Sequence, residues 1–325
     1  MGKNFCSNLY LTILVFFGTV LPCVAGAQTY PSRSIRIING FPPGGATDIL
    51  ARLIGGCVAH DLGVQVIVEN KPGAGANRAI KDVVTAAPDG YTLLFTSPSA
   101  AINASLYKNL DYNFLRDIVP ISGVMSAPNV LVVNASFPAK TLAEFVVYAK
   151  RHPGKLNMAT SSNGTSSHLS AMLFKMMAGL DMVHVPYKGE APALVDLLAG
   201  QVDLVFGTTA AGIGHIQAGR LRALAVTSAV RSPILPDVPA LQEVVSGYEA
   251  SNWWGIGAPK KTPAEIVERL NVSTNACLKE PHIRGQFSDM GGTPLLGSPE
   301  VFGKLVADET AKWAKVVEFS GAKAE

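Results

Sequence analysis

Short apolar runs alternate with amphipathic stretches along most of the chain, and their order predicts an α/β fold. In the first hundred residues the runs at 35–38, 64–68 and 92–96 are predicted strands, and the stretches at 48–62 and 78–85 are predicted helices. Strands separated by helices in this way are typical of βαβ units around a mainly parallel sheet. The opening third of the mature chain is therefore expected to form such a sheet.

The same alternation returns after residue 130 and predicts a second sheet. The predicted strands are 130–133, 156–160, 182–185, 204–206 and 223–226, and the predicted helices between them are 141–152, 166–178 and 191–198. A further strand at 253–258 and helices at 264–278 and 298–318 follow. Two crossings, near residues 127 and 251, would let the C-terminal part complete the first sheet. The expected lobes are then 28–127 plus 252–325 and 128–251, the double-hinge arrangement of proteins that close on a ligand.

The first 27 residues are predicted to be a secretory signal peptide. Lys3 supplies the positive start, the run 9–21 is apolar, and Ala25-Gly26-Ala27 offers small residues at the cleavage positions. At about 13 residues the apolar run is shorter than the ~20 that span a bilayer, which argues against a membrane anchor. We expect cleavage after Ala27 and a soluble mature protein.

Composition and charge narrow the possible functions. The 325 residues are 48% hydrophobic and 16% charged, which is an ordinary globular mixture. The net charge is +3 and there is no basic run, so nucleic acid is not an expected partner.

Cys57 and Cys277 remain after signal removal. They could pair in an oxidising compartment, but both lie in apolar helical patterns, which favours two separate buried thiols. No cysteine or histidine spacing indicates a metal or cofactor.

A glycine turn separates the first predicted strand from the first predicted helix. Gly44 and Gly45, within residues 41–47 (FPPGGAT), lie where a helix presents unpaired N–H groups and about half a positive charge. Because glycine leaves these groups uncovered, the turn predicts a carboxylate or phosphate site. Asp48 would compete for the same donors, so a simple tight turn, or a ligand held through water, is the alternative. No P-loop or three-glycine dinucleotide fingerprint is present.

A second polar turn, within residues 160–170 (TSSNGTSSHLS), has the same strand–turn–helix position in the second predicted sheet. Its hydroxyls and N–H groups suit an anion, although serine and threonine are also common helix caps. Ser166, Ser167 and His168 could form a hydrolase-like nucleophile and base, but the G-x-S-x-G elbow is absent, and a structural histidine is the favoured interpretation. Small polar groups around one crevice fit selective binding better than acid–base chemistry.

Several motifs together resemble one known family. The stretches YPSRSIRIINGFPPGGATDILAR, ENKPGAGAN, AAPDGYTLLFTS, VPYKGEAPALVDLLAGQVDLVF and WWGIGAPKKTPAEIVERLN look like those of the tripartite tricarboxylate transporter receptors, also called Bug receptors. The resemblance runs from Tyr30 to about Gly321. Two departures are the pair Asn39-Gly40 before the first turn, and Ala76 after Gly75.

The resemblance implies a fold and a function. The fold would be α/β, a two-lobed periplasmic binding protein (Venus flytrap) with a mainly parallel sheet in each lobe. The protein would be a monomer without cofactor or catalysis that binds a small carboxylated solute between its lobes and delivers it to the permease subunits of a tripartite transporter. A role as a solute sensor for a signalling partner stays open, as does the identity of the carboxylate. Retention of an unlipidated receptor requires an outer membrane, so the expected compartment is the periplasm.

The candidate ligand-binding residues are drawn from both turns and from the ends of neighbouring strands. These residues are Phe41, Gly44, Gly45, Ala46, Asp48, Ser97, Ser162, Gly164, Thr165, Ser166, Tyr187 and Thr208. The resemblance implies all of them except Ala46, Asp48 and Ser97, which are added because they lie in the first turn and just after the third predicted strand.

Overall fold

The computed structural model describes residues 30–161, 163–187 and 189–323. The predicted signal peptide, 1–27, lies outside these described residues.

Elements from the first third and from the last third of the chain lie together in one part of the sheet, since the strands at 92–96 and 251–259 pair. From the N-terminus they are β1 (Ile35–Asn39), α1 (Ala46–Leu62), β2 (Val66–Asn70), α2 (Asn77–Val84), β3 (Thr92–Thr96), α3 (Pro98–Leu106) and α4 (Phe114–Asp117). The middle of the chain forms β4 (Ile118–Asn134), α5 (Leu142–Arg151), β5 (Asn157–Thr160), α6 (Ser166–Ala178), β6 (Val183–Pro186), α7 (Glu190–Leu198), β7 (Leu204–Thr208), α8 (Thr209–Gln217) and β8 (Leu221–Val226). The chain ends with β9 (Ser251–Pro259), α9 (Ala264–Cys277), α10 (Pro281–Asp289), β10 (Thr293–Pro294) and α11 (Pro299–Ser320).

Two long strands, β4 and β9, join the two parts of the sheet. The strand order is β2-β1-β3-β9-β4-β7-β5-β6, with β8 and β10 also paired to β4. β1 is parallel to β2 and β3, and β5 is parallel to β6 and β7, whereas β4 and β9 pair antiparallel. The α/β fold predicted from the alternating pattern is thus confirmed.

β4 is much longer than the strand predicted at 130–133. Pro120 and Gly123 interrupt the apolar pattern, yet β4 stays continuous because its register against β9 shifts at both positions. Such bulges let a strand hold a residue that cannot join the regular ladder. Up to Pro128 the strand pairs with β9, and from Asn129 onward it pairs with β7 and β8. The pairing therefore changes near residue 128, close to the predicted crossing.

Helix α11 lies across both halves and contacts α3, α6 and β4. Its buried Glu309 accepts hydrogen bonds from the indole N–H groups of Trp253 (3.2 Å) and Trp313 (2.7 Å) and forms an ion pair with Lys312. Lys312 also contacts Glu249, at 2.9 Å, just before β9. A buried carboxylate is stable only with such partners. This cluster thus fixes α11 against the returning strand.

A disulfide joins α1 to α9. Cys57 and Cys277 are bonded, with their Cα atoms 5.8 Å apart and their positions 220 apart in sequence. The expectation of two separate thiols is therefore wrong. The helical patterns around both residues were correctly identified, but α1 and α9 pack side by side, and periodicity within one helix carries no information about its neighbour.

Breaking this disulfide should lower stability without unfolding the chain. A bond that closes so long a loop restricts the unfolded ensemble, and such bonds contribute about 2–4 kcal/mol. We expect Cys57→Ala, or a reductant acting on the wild type, to lower the melting temperature by several degrees in calorimetry. Reductant should have no further effect on Cys57→Ala. Equal melting temperatures for the reduced and oxidised wild type would contradict the bond.

Candidate functional site

The first glycine turn is held closed by side chains from α1 and β2. The N–H of Gly44, at φ +83°, donates to Asp48 Oδ2 at 2.9 Å. The side-chain amide of Asn70 donates both to the carbonyl of Phe41 (3.0 Å) and to Asp48 Oδ1 (2.8 Å). Hydrogen bonds from Arg52, Gly44 and Asn70 outweigh burial and lower the pKa of Asp48 to about 2. Asp48 thus supports the turn, and its carboxylate stays ionised.

The start of α1 remains accessible beside this closed turn. Gly45 is the N-cap residue and supplies no side-chain hydrogen bond to the helix. Trp254 on β9 donates its indole N–H to Thr47 Oγ1 at 3.1 Å, which anchors the first turn of the helix to the crossing strand. The first N–H groups of a helix have no partner within it. Gly45 therefore leaves the amides at the start of α1 without a side chain to cover them.

The second turn repeats this arrangement with different residues. The N–H of Gly164, at φ +70°, donates to His168 Nδ1 at 3.1 Å. Thr165 caps α6 by accepting the N–H of His168 at 3.3 Å. The hydroxyl of Ser167 donates to the carbonyl of Phe206 at 2.5 Å. These bonds engage both Ser167 and His168 in support of the turn.

The two turns share one geometry. In each, a glycine with positive φ precedes the N-cap, and its N–H is bound by a side chain four residues later, Asp48 in one half and His168 in the other. A carboxylate and a neutral imidazole perform the same task, since either can accept from an N–H group. Each half therefore presents a pre-formed helix start.

His168 is deeply buried and stacks on His184, with ring centroids 4.2 Å apart. Burial, followed by the neighbouring charge of His184, lowers the pKa of His168 to about 3. Burial, with a smaller contribution from Lys175, lowers the pKa of His184 to about 4. His184 Nε2 lies 2.7 Å from Thr160 Oγ1 at the end of β5. Both rings are thus neutral at neutral pH, as the contact from Gly164 to His168 requires.

Both turns face one crevice of about 1380 Å³. The predicted residues that line it are Phe41, Gly45, Ala46, Ser97, Gly164, Thr165, Ser166 and Thr208. Three predicted residues do not line it: Gly44 and Asp48 close the first turn, and the hydroxyl of Tyr187 bonds to Asp196 Oδ2 at 2.6 Å. Ser162 lies outside the described residues. The role of this set in binding a ligand stays a prediction.

The crevice is lined by more helix starts, and by more residues, than the two glycine turns supply. Helices α3, α7 and α8 begin at it, so that their caps Ser97, Gly189 and Thr208 join the two predicted helix starts. Pro98 directly after a serine is a common helix start and is the sequence signal for α3. The residues of α3 are too small to give a clear hydrophobic periodicity. Lining residues that sequence analysis missed include Ile49, Asn103, Leu106, Tyr107, Glu190, Asn252, Trp254, Asp289, Met290 and Lys323.

Buried amides join the crossing strands at the base of the crevice. Asn252 on β9 donates to Asn129 on β4 at 2.9 Å, and Asn129 donates to Ser170 on α6 at 3.0 Å. The N–H of Asn129 donates to Thr227 Oγ1 at 2.7 Å. This network fixes the point where β4 changes partners. Sequence analysis missed it because its members lie up to 123 residues apart.

Two absences hold for residues 30–161, 163–187 and 189–323, the part of the chain that the structure describes. No group of three or more histidine, cysteine, aspartate or glutamate side chains is placed to hold a metal ion there. No helix in that part of the chain has both the length and the hydrophobicity needed to cross a bilayer.

The chain is similar to several known proteins. A family profile described as "Tripartite tricarboxylate transporter family receptor" matches residues 50–321. Protein BugT of Bordetella pertussis is 38% identical over 323 residues, which cover 98% of each chain. The structure titled "R. palustris Rpa4515 with adipate" is 35% identical, with a TM-score of 0.79, covering 90% of this chain and 99% of its own. "MatC (Rpa3494) from Rhodopseudomonas palustris with bound malate" is 32% identical, with a TM-score of 0.75, covering 89% and 100%.

The buried imidazole pair predicts an acid-sensitive fold. An unfolded histidine has a pKa of about 6.5, and folding lowers it to about 3 and about 4 in this pair. At pH values between the folded and the unfolded pKa, the unfolded chain binds more protons than the folded chain. The free energy of unfolding should therefore fall as the pH drops from about 6.5 toward 4, by up to about 1.4 kcal/mol per pH unit for each histidine.

Urea unfolding at pH values from about 4.5 to 6.5 measures this dependence. His184→Gln keeps a hydrogen-bonding group near Thr160 but removes one titrating ring, so its pH dependence should be shallower. His282→Gln, at an exposed position on α10, serves as the control and should follow the wild type. Equal slopes for His184→Gln and the wild type would contradict the assignment.

Proposed function

Since the chain belongs to the tripartite tricarboxylate transporter family of receptors, we propose that it captures a small carboxylated solute in the periplasm and delivers it to the permease subunits of such a transporter. Family membership confirms the resemblance of the motifs, and the structural relatives share the two-lobed α/β fold of periplasmic binding proteins. The relatives solved with adipate and with malate support a carboxylate as the solute of this chain too.

The observation that carries the proposal is the pair of matching turns at one crevice. In each half a glycine turn is closed from behind by its own helix, while the helix start faces the shared space. We propose that the solute carboxylate accepts hydrogen bonds from amides at the starts of α1 and α6, directly or through water. The proposed ligand contacts are the predicted residues that line the crevice, together with Ser162, while Gly44 and Asp48 act through the shape of the turn.

The proposed lobes are residues 28–127 plus 252–325 and residues 128–251. The change in the pairing of β4 near residue 128 supports the first boundary, and the start of β9 at Ser251 supports the second. Closure of the lobes would bring the two helix starts together on the solute. A micromolar affinity requires about −8 kcal/mol, whereas one helix end supplies ~0.3–1 kcal/mol, so apolar contacts with both lobes must supply much of the rest.

A side chain at Gly45 should block this site. The Cβ of Gly45→Val would point into open space, since its nearest neighbour is the carbonyl oxygen of Pro42 at 3.9 Å, so the fold should tolerate it. The branched side chain would separate the amides from a carboxylate. We expect the affinity to fall roughly 10- to 100-fold, the loss typical of hydrogen bonds to a charged group.

Calorimetry with a panel of small carboxylates that includes adipate and malate measures this loss. Gly56→Val, an exposed site with open space on the same helix, is the matched control and should bind like the wild type. Both variants should melt, without ligand, within a few degrees of the wild type. Unchanged affinity in Gly45→Val would remove the first turn from the site.

We also propose that the solute leaves chemically unchanged. The hydrolase alternative would require Ser166 or Ser167 beside His168 as base, but the Nδ1 of His168 accepts the N–H of Gly164, and the hydroxyl of Ser167 donates to Phe206. Prolonged incubation with small esters and with the bound carboxylate, followed by mass spectrometry, should give back the starting compounds. Turnover that His168→Ala abolishes would overturn this part of the proposal.

A further inference from the structure

Glu190 places a carboxyl group in the interior of the crevice. Among the described lining residues, Glu190, Asp289 and Lys323 are the ones with charged side chains. Asp289 and Lys323 are exposed to solvent, whereas Glu190 is partly buried. Glu190 is therefore the charged lining group that a solute inside the crevice would meet with the least screening by water.

The carboxylate of Glu190 occupies a helix start of the same kind as those proposed to hold the solute. Glu190 follows the cap Gly189 at the beginning of α7 and reaches to the cap of α8. Its Oε1 accepts the N–H of Thr208 at 2.8 Å, and its Oε2 accepts the hydroxyl of Thr208 at 2.7 Å. The protein thus supplies its own anion at this position, where a solute carboxylate would otherwise find donors.

Glu190 can still accept further hydrogen bonds. Each oxygen of an ionised carboxylate has two lone pairs, and in Glu190 each oxygen receives one hydrogen bond from Thr208. Burial raises the pKa of Glu190, and the bonds from Thr208 oppose part of that rise. In its ionised form the group gains from any additional donor or positive charge that a solute brings, and a cation beside it favours that form, whereas a second negative charge in the same poorly hydrated space is repelled.

We propose that Glu190 makes this receptor select a carboxylate whose other end carries a hydrogen-bond donor, best an ammonium group, over a dicarboxylate of the same length. The proposal rests on the carboxylate-binding function proposed above. One end of the solute is held at the starts of α1 and α6, and the other end meets Glu190 beside Thr208. A single carboxylate side chain then decides the charge of the solute that fits.

Matched pairs of compounds test the charge preference. Adipate is compared with 6-aminohexanoate, and succinate with 4-aminobutyrate, so that within each pair an ammonium group replaces one carboxylate at nearly constant length. Calorimetry on the wild type should show tighter binding of the amino acid in at least one pair, by roughly tenfold or more, as expected for opposite rather than like charges at a partly buried group. Glu190→Gln preserves an acceptor for the N–H of Thr208 and should reduce this ratio roughly tenfold or more.

The control is Glu265→Gln, which removes an exposed glutamate from the first turn of α9 and should keep the wild-type ratio. The melting temperatures of all variants without ligand report whether Glu190→Gln has damaged the fold. If the wild type binds both members of each pair equally, or if Glu190→Gln keeps the wild-type ratio, the role of Glu190 is overturned while the receptor function stands. If the wild type binds none of the four compounds and no member of the carboxylate panel, both proposals fail together.

Discussion

The structure depends on how the amide groups at the start of a helix are satisfied when that start faces a crevice. A helix leaves its first N–H groups without internal partners. Around each of these helix starts the N–H groups fall into two sets. The glycine N–H just before each cap is bound from behind, by Asp48 in one half and by His168 in the other. The residues that follow, Gly45 and Ala46 in one half and Thr165 and Ser166 in the other, line the crevice. The turn is thus rigid where the protein holds it and open where a solute would bind.

The elements around the two turns keep them opposed. β4 and β9 run through both halves, α11 packs across both, and the buried Glu309 ties α11 to the indole of Trp253 on β9. Trp254, the next residue, reaches the other way and anchors the start of α1 through Thr47. Adjacent residues of one strand therefore support the back of the molecule and its binding face. Residues in a strand alternate between faces, which is why two tryptophans in sequence can do this.

The sequence could predict what depends on local pattern. Periodicity indicated most strands and helices, and the glycine turn and the Thr165 cap indicated the two helix starts that face the crevice. Contacts between side chains of different elements were beyond reach. Tyr187 follows a strand end, as a ligand-binding residue often does, yet its hydroxyl bonds to Asp196. Glu190 looks like an ordinary first-turn acid, and only the neighbouring end of β7 brings it to Thr208. The proline and glycine residues of β4 suggest breaks in the strand, but β-bulges accommodate them and the strand stays continuous.

The bond between Cys57 and Cys277 has a consequence for the order of events in the life of the chain. Thiols stay reduced in the bacterial cytoplasm and oxidise after export. For a receptor that is exported to the periplasm, as proposed above, a newly made chain that waits for translocation would lack the link between α1 and α9. Translocation in the unfolded state is easier for such a chain. Oxidation after export would then make unfolding less favourable, so that maturation would proceed in one direction.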